Sequence, residues 1–245
     1  MAKTAQGPFD TKYHHIDAPT KQDDEYGKEH KQRKLLIPNL IAFTNHQDDM
    51  YRDPMVAFLA NNSWEIRRKI DGENIRIRWD GEQALWNGKT NNFVCSGDFH
   101  NYMNGTFLEE IFEEEFGRDK EVIIFGEKMG PKTQGNELKL DEDEVIIYDV
   151  CIDGYWLDKW AVKNIADYFK IRTCYDLMGP DVQHEWRLPM IINAVAHGQF
   201  EDWEGIVAVP KVECRDQKGN RVIVKVKNKD YLREELKGKE IFFNA

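Results

Sequence analysis

A chain of 245 residues, 41% hydrophobic and 32% charged, is long enough to bury one large core or two small ones, and it has no apolar run of membrane-spanning length. Its 44 acidic residues against 34 basic ones give a formal net charge of −10, which speaks against a protein that coats nucleic acid generally, because phosphate repels an acidic surface. Four cysteines lie far apart without a C-x-x-C pair, and the seven histidines show no H-E-x-x-H spacing, so neither a disulfide framework nor a zinc site is expected. The opening MAKTAQGPFD lacks the apolar stretch of a secretory signal, which points to a cytoplasmic chain.

Residues 1–34 are polar and charged and read as an arm without predicted secondary structure; a single domain is expected over 35–245. Pro38 within LLIPNLIAF (35–43) argues against a continuous helix there. NIRIRW (74–79) alternates apolar and polar residues as a half-buried strand does, and Asp80-Gly81 turns the chain into EQALW. Ser96 precedes a predicted helix running to Gly117, with Phe107, Leu108, Ile111, Phe112 and Phe116 as its apolar stripe. EVIIFGE (121–127) and EVIIYDV (144–150) read as buried strands. Asp158 is placed to cap a helix through Phe169, and another helix covers 188–197. GIVAVP (205–210) and RVIVKVKNK (221–229) form a hairpin turning near Gly219. Strands outnumber helices and follow one another in hairpins, so the fold class is α+β with antiparallel sheets.

Several stretches carry possible chemistry. GEKMGPKTQG has three residues between Gly126 and Gly130, and Pro131 before Lys132-Thr133; a phosphate-cradling P-loop needs four and then lysine, so it is excluded. In RRKIDGENI, Lys69 stands among Arg67, Arg68, Arg76 and Arg78. Such like charges disfavour an ammonium and favour the free amine that a lysine nucleophile needs, although K-x-D-G alone more often marks a surface hairpin turn. Strand periodicity puts Lys225, Lys227 and Lys229 on one face, suited to a polyphosphate or simply to solvent. Glu127 and Glu204 end or begin strands beside glycines, where a carboxylate reaches a ribose hydroxyl or a divalent metal. Ten basic residues stand against five acidic ones from Lys211 to Lys239, while EEIFEEE (109–115) is almost purely acidic; such a basic strip holds a phosphate backbone locally or is a solvated face.

In order, KIDGEN, FGE, IIYDV, EGIV and KVK resemble the five nucleotidyltransferase motifs of ATP-dependent ligases and mRNA capping enzymes. The resemblance runs from about Asp53 to Tyr231 and is nearest to the RNA ligase 2-like group found in phages and in kinetoplastid RNA editing. Asn74, five residues after the lysine, is the residue of RNA ligases, where DNA ligases and capping enzymes carry arginine. The resemblance implies a nucleotidyltransferase domain of two antiparallel sheets with flanking helices around a nucleotide cleft. It implies that Lys69 attacks the α-phosphate of ATP and holds AMP, that Asn74 contacts phosphate later, and that Glu127 binds the ribose. Tyr148 is then expected to stack on adenine, Glu204 to help bind Mg²⁺, and Lys225 and Lys227 to contact the α-phosphate. Lys89, in NGKTNN, stands where the family has arginine, keeping the charge without the bidentate fork. Arg68 stands where the group often has glutamate.

The expected activity is sealing of 3′-hydroxyl and 5′-phosphate polynucleotide ends or nicks, RNA preferred, as in RNA repair. DNA ligation, RNA guanylylation and a partner-dependent end-binding subunit are the alternatives. Only 18 residues follow Lys227, so the expectation includes no OB or other C-terminal domain, and an accessory protein as a possible replacement.

Overall fold

The computed structural model describes residues 3–4, 13–30, 33–38, 48–133, 138–178 and 185–241. In chain order its first elements are β1 (Lys3–Thr4), α1 (Asp24–His30), α2 (Pro54–Leu59), β2 (Trp64–Lys69), β3 (Glu73–Trp79), β4 (Ala84–Gly88) and β5 (Val94–Cys95). There follow α3 (Gly97–Thr106), α4 (Glu109–Phe116), β6 (Val122–Met129), β7 (Glu144–Ile152), β8 (Tyr155–Trp156) and α5 (Lys159–Phe169). The last are α6 (Leu188–Ala196), β9 (Gly205–Pro210), β10 (Val224–Lys227) and α7 (Asn228–Tyr231). They form two compact units, Met1–Tyr13 with Asp71–Leu177, and His14–Ile70 with Met178–Ala245.

The first unit is built on a five-stranded antiparallel sheet in the order β4-β3-β6-β7-β8, with a small ribbon of β1 and β5. The alternation of NIRIRW sorts its faces as the pleat requires. Ile75, Ile77 and Trp79 join Val122, Ile124, Val145 and Val150 in the core beneath the helices. Trp79 stacks on Phe112 of α4 at 5.7 Å, Phe112 meets Phe169 of α5 at 4.8 Å, and Trp86 meets Phe99 of α3 at 5.9 Å. Asn74, Arg76 and Arg78 point to the other face, paired in register with Glu127, Phe125 and Ile123. The predicted single helix from 97 to 117 is instead two: α3 stops at Thr106 and α4 starts at Glu109. Gly105 and Thr106 are weak helix formers. The break turns Phe107 inward against Phe169, at 5.2 Å, and leaves Leu108 exposed.

The second unit holds the three-stranded antiparallel sheet β10-β9-β2. Trp64, Ile66, Ile206, Ala208, Val224 and Val226 cover α6, whose residues are nearly all buried. β2 and β3 belong to different sheets, so K-x-D-G is not a hairpin turn. The predicted strand over 221–229 shrinks to Val224–Lys227; Lys229 falls in α7 and leaves the lysine face. Before residue 35 the sequence predicted no element, yet α1 forms and the surrounding segment is tied down. Lys225 N–H donates to the Asp17 carbonyl at 3.0 Å, and Thr20 and Tyr231 share a 2.8 Å hydroxyl bond. The buried Arg233 guanidinium lies 4.0 Å over the Tyr26 ring and donates to the Leu35 carbonyl at 2.9 Å. Of LLIPNLIAF, residues 39–43 lie outside the described residues. Among the described residues no helix is long and apolar enough to cross a membrane.

The Asp158 carboxylate accepts from the Trp160 and Ala161 amides at 2.9 Å each, the predicted cap of α5. Asp158→Ala is expected to lower stability by about 1 kcal/mol, read as a reduced denaturant midpoint at unchanged slope; an unshifted midpoint would show the cap to be energetically idle.

Candidate functional site

The predicted residues fall into two groups, one in each unit. In the second unit, strand pairing sets Lys69, Gly205 and Lys227 in one row and Arg67, Val207 and Lys225 in the next. Lys69 ends β2 and Lys227 ends β10, two strands apart, so their Cα atoms are separated by about 10 Å. The central position is glycine, so no side chain stands between them. A Cβ on Gly205, at φ 154°, would lie 2.3 Å from the Val226 carbonyl oxygen.

Glu204 fills the gap from the side. One carboxylate oxygen accepts from the Lys69 ammonium and the other from the Lys227 ammonium. All three side chains are largely buried. The arginines next to Lys69 in sequence suggest a cationic setting, whereas the closest charged partner of its side chain is the Glu204 carboxylate. Burial opposes the charge on Glu204, but Lys227 and Lys69 outweigh it and hold the carboxyl below the usual glutamate range. Lys225, on the same face, is pushed below the ordinary lysine range by burial and by Lys227.

The first unit brings together Asn74, Glu127 and Tyr148. Asn74 stands directly opposite Glu127, and its Nδ2 donates to the Tyr148 hydroxyl at 2.6 Å. The β6–β7 register shifts between Phe125 and Gly126: Phe125 faces Asp149, Gly126 faces Ile147, and Tyr148 falls at the step between them. This bulge re-aims the tyrosine out of the ladder. Lys89 lies in the exposed turn after β4. In the cationic stretch 211–239, Lys211, Arg221, Arg233 and Lys237 pair with Glu185, Glu213, Asp23 and Glu201.

Three contributors escaped the sequence reading. Arg76 is buried in β3, and its guanidinium donates to the Gly88 carbonyl at 2.7 Å and to Asn91 at 3.0 Å, fixing the turn that carries Lys89. Alternation marks it as solvent-facing and gives no hint of this. Asn228 donates from its side chain to the Phe200 carbonyl at 2.7 Å and from its amide to the Glu204 carbonyl at 3.1 Å, holding the approach to Glu204. Tyr13, in the stretch read as an arm, donates to Asp149 and meets Tyr148 edge-on.

No protein-family model matches the chain. Solved structures do. A lysine-to-methionine variant of Naegleria gruberi RNA ligase with AMP and Mn superposes at a TM-score of 0.52 and 15% identity, over 79% of this chain and 58% of that one. A glutamate-to-alanine variant with AMP and Mn gives the same figures. The fold is RNA-ligase-like. The same ligase with PPi matches over 91% of this chain and 61% of that one, at a TM-score of 0.50 and 14% identity. The shared fold is the mixed one of two antiparallel sheets with flanking helices, and the chain spans about three-fifths of the length of the ligase it matches.

Two outcomes test the lysine–glutamate row. A carboxyl held low when folded stabilises the protein fully above the unfolded glutamate value of about 4.3, and that stability is lost as pH falls through the lower folded value. The difference in urea midpoint between wild type and Glu204→Gln should therefore be large at pH 7 and shrink below pH about 4; a gap constant across that range would exclude the charge as its source. Gly205→Ala forces the added carbon into the Val226 carbonyl and is expected to cost about 1–3 kcal/mol; a denaturation curve matching wild type would refute the close approach.

Proposed function

We propose that the protein is an ATP-dependent polynucleotide ligase of the RNA ligase 2-like kind, acting on 3′-hydroxyl and 5′-phosphate ends with RNA preferred. The observation that carries this reading is the row of Lys69, Gly205 and Lys227 with Glu204 between the two ammonium groups. It places a candidate nucleophile beside a second cation, with a carboxylate that an incoming phosphate has to displace. The ligase-like fold and the ATP and Mn in a lysine-to-alanine variant of the Naegleria ligase support the choice of nucleotide and of a divalent cation.

In the first step Lys69 Nζ, having lost its ammonium proton to solvent, bonds to the α-phosphorus as a free amine, the bond from that phosphorus to the bridging oxygen breaks, pyrophosphate departs, and the nitrogen releases a second proton. A 5′-phosphate oxygen then bonds to the adenylate phosphorus as its bond to Lys69 Nζ breaks and the amine regains a proton; finally a 3′-hydroxyl oxygen, giving up its proton, attacks the 5′-phosphate phosphorus and expels AMP. Lys225 and Lys227 are assigned to the α-phosphate, Glu127 to the ribose, Tyr148 to the base, and Asn74 and Lys89 to phosphate in the later steps. Among the described residues no group of three His, Cys, Asp or Glu side chains is placed to hold a metal. Glu204 is the carboxylate that would hold a divalent cation here, in keeping with the one or two carboxylates that commonly bind Mg²⁺ beside substrate phosphates. Such a cation neutralises charge on the phosphates.

Incubation with ATP labelled at the α-phosphate and Mg²⁺, followed by a denaturing gel, should show label on wild type and none on Lys69→Ala. Unlabelled wild type, or label surviving Lys69→Ala, would reject the enzyme. Label from GTP in place of ATP would favour the guanylyltransferase reading. Sealing is scored separately on nicked RNA and DNA duplexes; label without sealing would favour dependence on an accessory protein.

A further inference from the structure

We propose that Tyr13 is a positioning residue for nucleotide recognition, acting by fixing the ring of Tyr148. The inference rests on the reading of Tyr148 as the base-contacting residue. Tyr148 sits at the β-bulge, between the residues that face Phe125 and Gly126, so the regular pleat alone does not set its direction. Contacts from Asn74 and Tyr13 bear on it. Asn74 holds its hydroxyl at 2.6 Å, and the Tyr13 ring meets it edge-on, with centroids 5.2 Å apart and planes at 80°. Tyr13 is itself fixed from two directions. Its hydroxyl donates to Asp149, the residue next to Tyr148, and its ring packs on Phe125 at 5.0 Å and Trp156 at 5.8 Å.

One side chain thus grips two consecutive residues of β7 at the point where the ladder is interrupted. A tyrosine that only filled a core would also seek a partner for its hydroxyl, but it would not need contact with the bulged residue. A base-stacking ring, by contrast, gains from a defined plane before the ligand arrives, since ordering it on binding costs affinity. The edge-to-face geometry leaves the ring plane of Tyr148 set without requiring Tyr13 to lie parallel to it.

The probe is AMP, which binds without reacting, measured by calorimetry on the full chain. Tyr13→Leu keeps apolar bulk and removes the aromatic edge and the hydroxyl; Tyr13→Phe keeps the edge. Tyr13→Leu is expected to weaken AMP about three- to tenfold, with Tyr13→Phe restoring most of the loss. Thermal melts of both variants report whether they fold. In the labelling assay, Tyr13→Leu should raise the KM for ATP by a similar factor and change the rate at saturating ATP by less than about twofold. Combined with Tyr148→Ala, Tyr13→Leu should add nothing further. Wild-type affinity for AMP in folded Tyr13→Leu, or an effect that adds in full to Tyr148→Ala, overturns the proposal. So does a wild type that binds no AMP. Should wild type bind AMP but fail to take up label, the ligase reading falls and the AMP series alone decides the role of Tyr13.

Discussion

A single carboxylate shared by two half-buried ammonium groups governs the second unit. Lys69 and Lys227 end their strands in the same cross-strand row and lean toward one point. Without Glu204 the two cations would face each other in a poorly screened setting, where like charges repel far more than they do in water. The carboxylate resolves this only because the central strand offers no side chain at Gly205 and lets Glu204 reach both. The glycine, the preceding acid and the two lysines are therefore one device. The neighbouring Asn228 completes it by tying down the Phe200 and Glu204 carbonyls.

The first unit uses a different constraint. Its sheet is covered by helices on one face, where strict alternation makes every second residue apolar. The other face carries Asn74, Arg76 and Glu127, and the register shift at Phe125–Gly126 adds Tyr148 to that face out of step with the ladder. Gly126 permits the shift at close quarters: a Cβ there would lie 2.8 Å from the Val145 side chain and 2.9 Å from the Ile146 carbonyl oxygen. Bulges commonly serve to re-aim a side chain, and here the re-aimed ring finds its hydroxyl partner on β3.

What the sequence made legible is what local rules decide. The Asp158 cap, the faces of β3 and the shared face of Lys225 and Lys227 followed from capping chemistry and the two-residue pleat. Rules of that kind failed where a long-range contact overrode them. A continuous apolar stripe from Phe107 to Phe116 suggested one helix, but Phe107 is worth more packed on Phe169 than kept in register. Lys229 continued the alternation on paper, yet the chain turns into α7 at Asn228. Arg76 is the sharpest case: a strand arginine between isoleucines looks solvated, and only the folded chain supplies the Gly88 and Asn91 acceptors that make its burial tolerable. Tyr13 and α1 were missed because a polar composition describes the surface of a segment and says nothing of the few residues that anchor it.

The paired charges also bear on how an acidic protein can hold an anion. From Lys211 to Lys239 the sequence reads as a basic strip, but Lys211, Arg221, Lys227, Arg233 and Lys237 each have a carboxylate close by. The exposed pairs among them contribute little to stability, yet they cancel much of the field that would attract a polyanion. On one face of the three-stranded sheet Lys69, Arg67, Lys225 and Lys227 lie in adjacent rows, with Glu204 as counter-ion between Lys69 and Lys227. An anion arriving at this face competes with Glu204 for ammonium groups already committed to it.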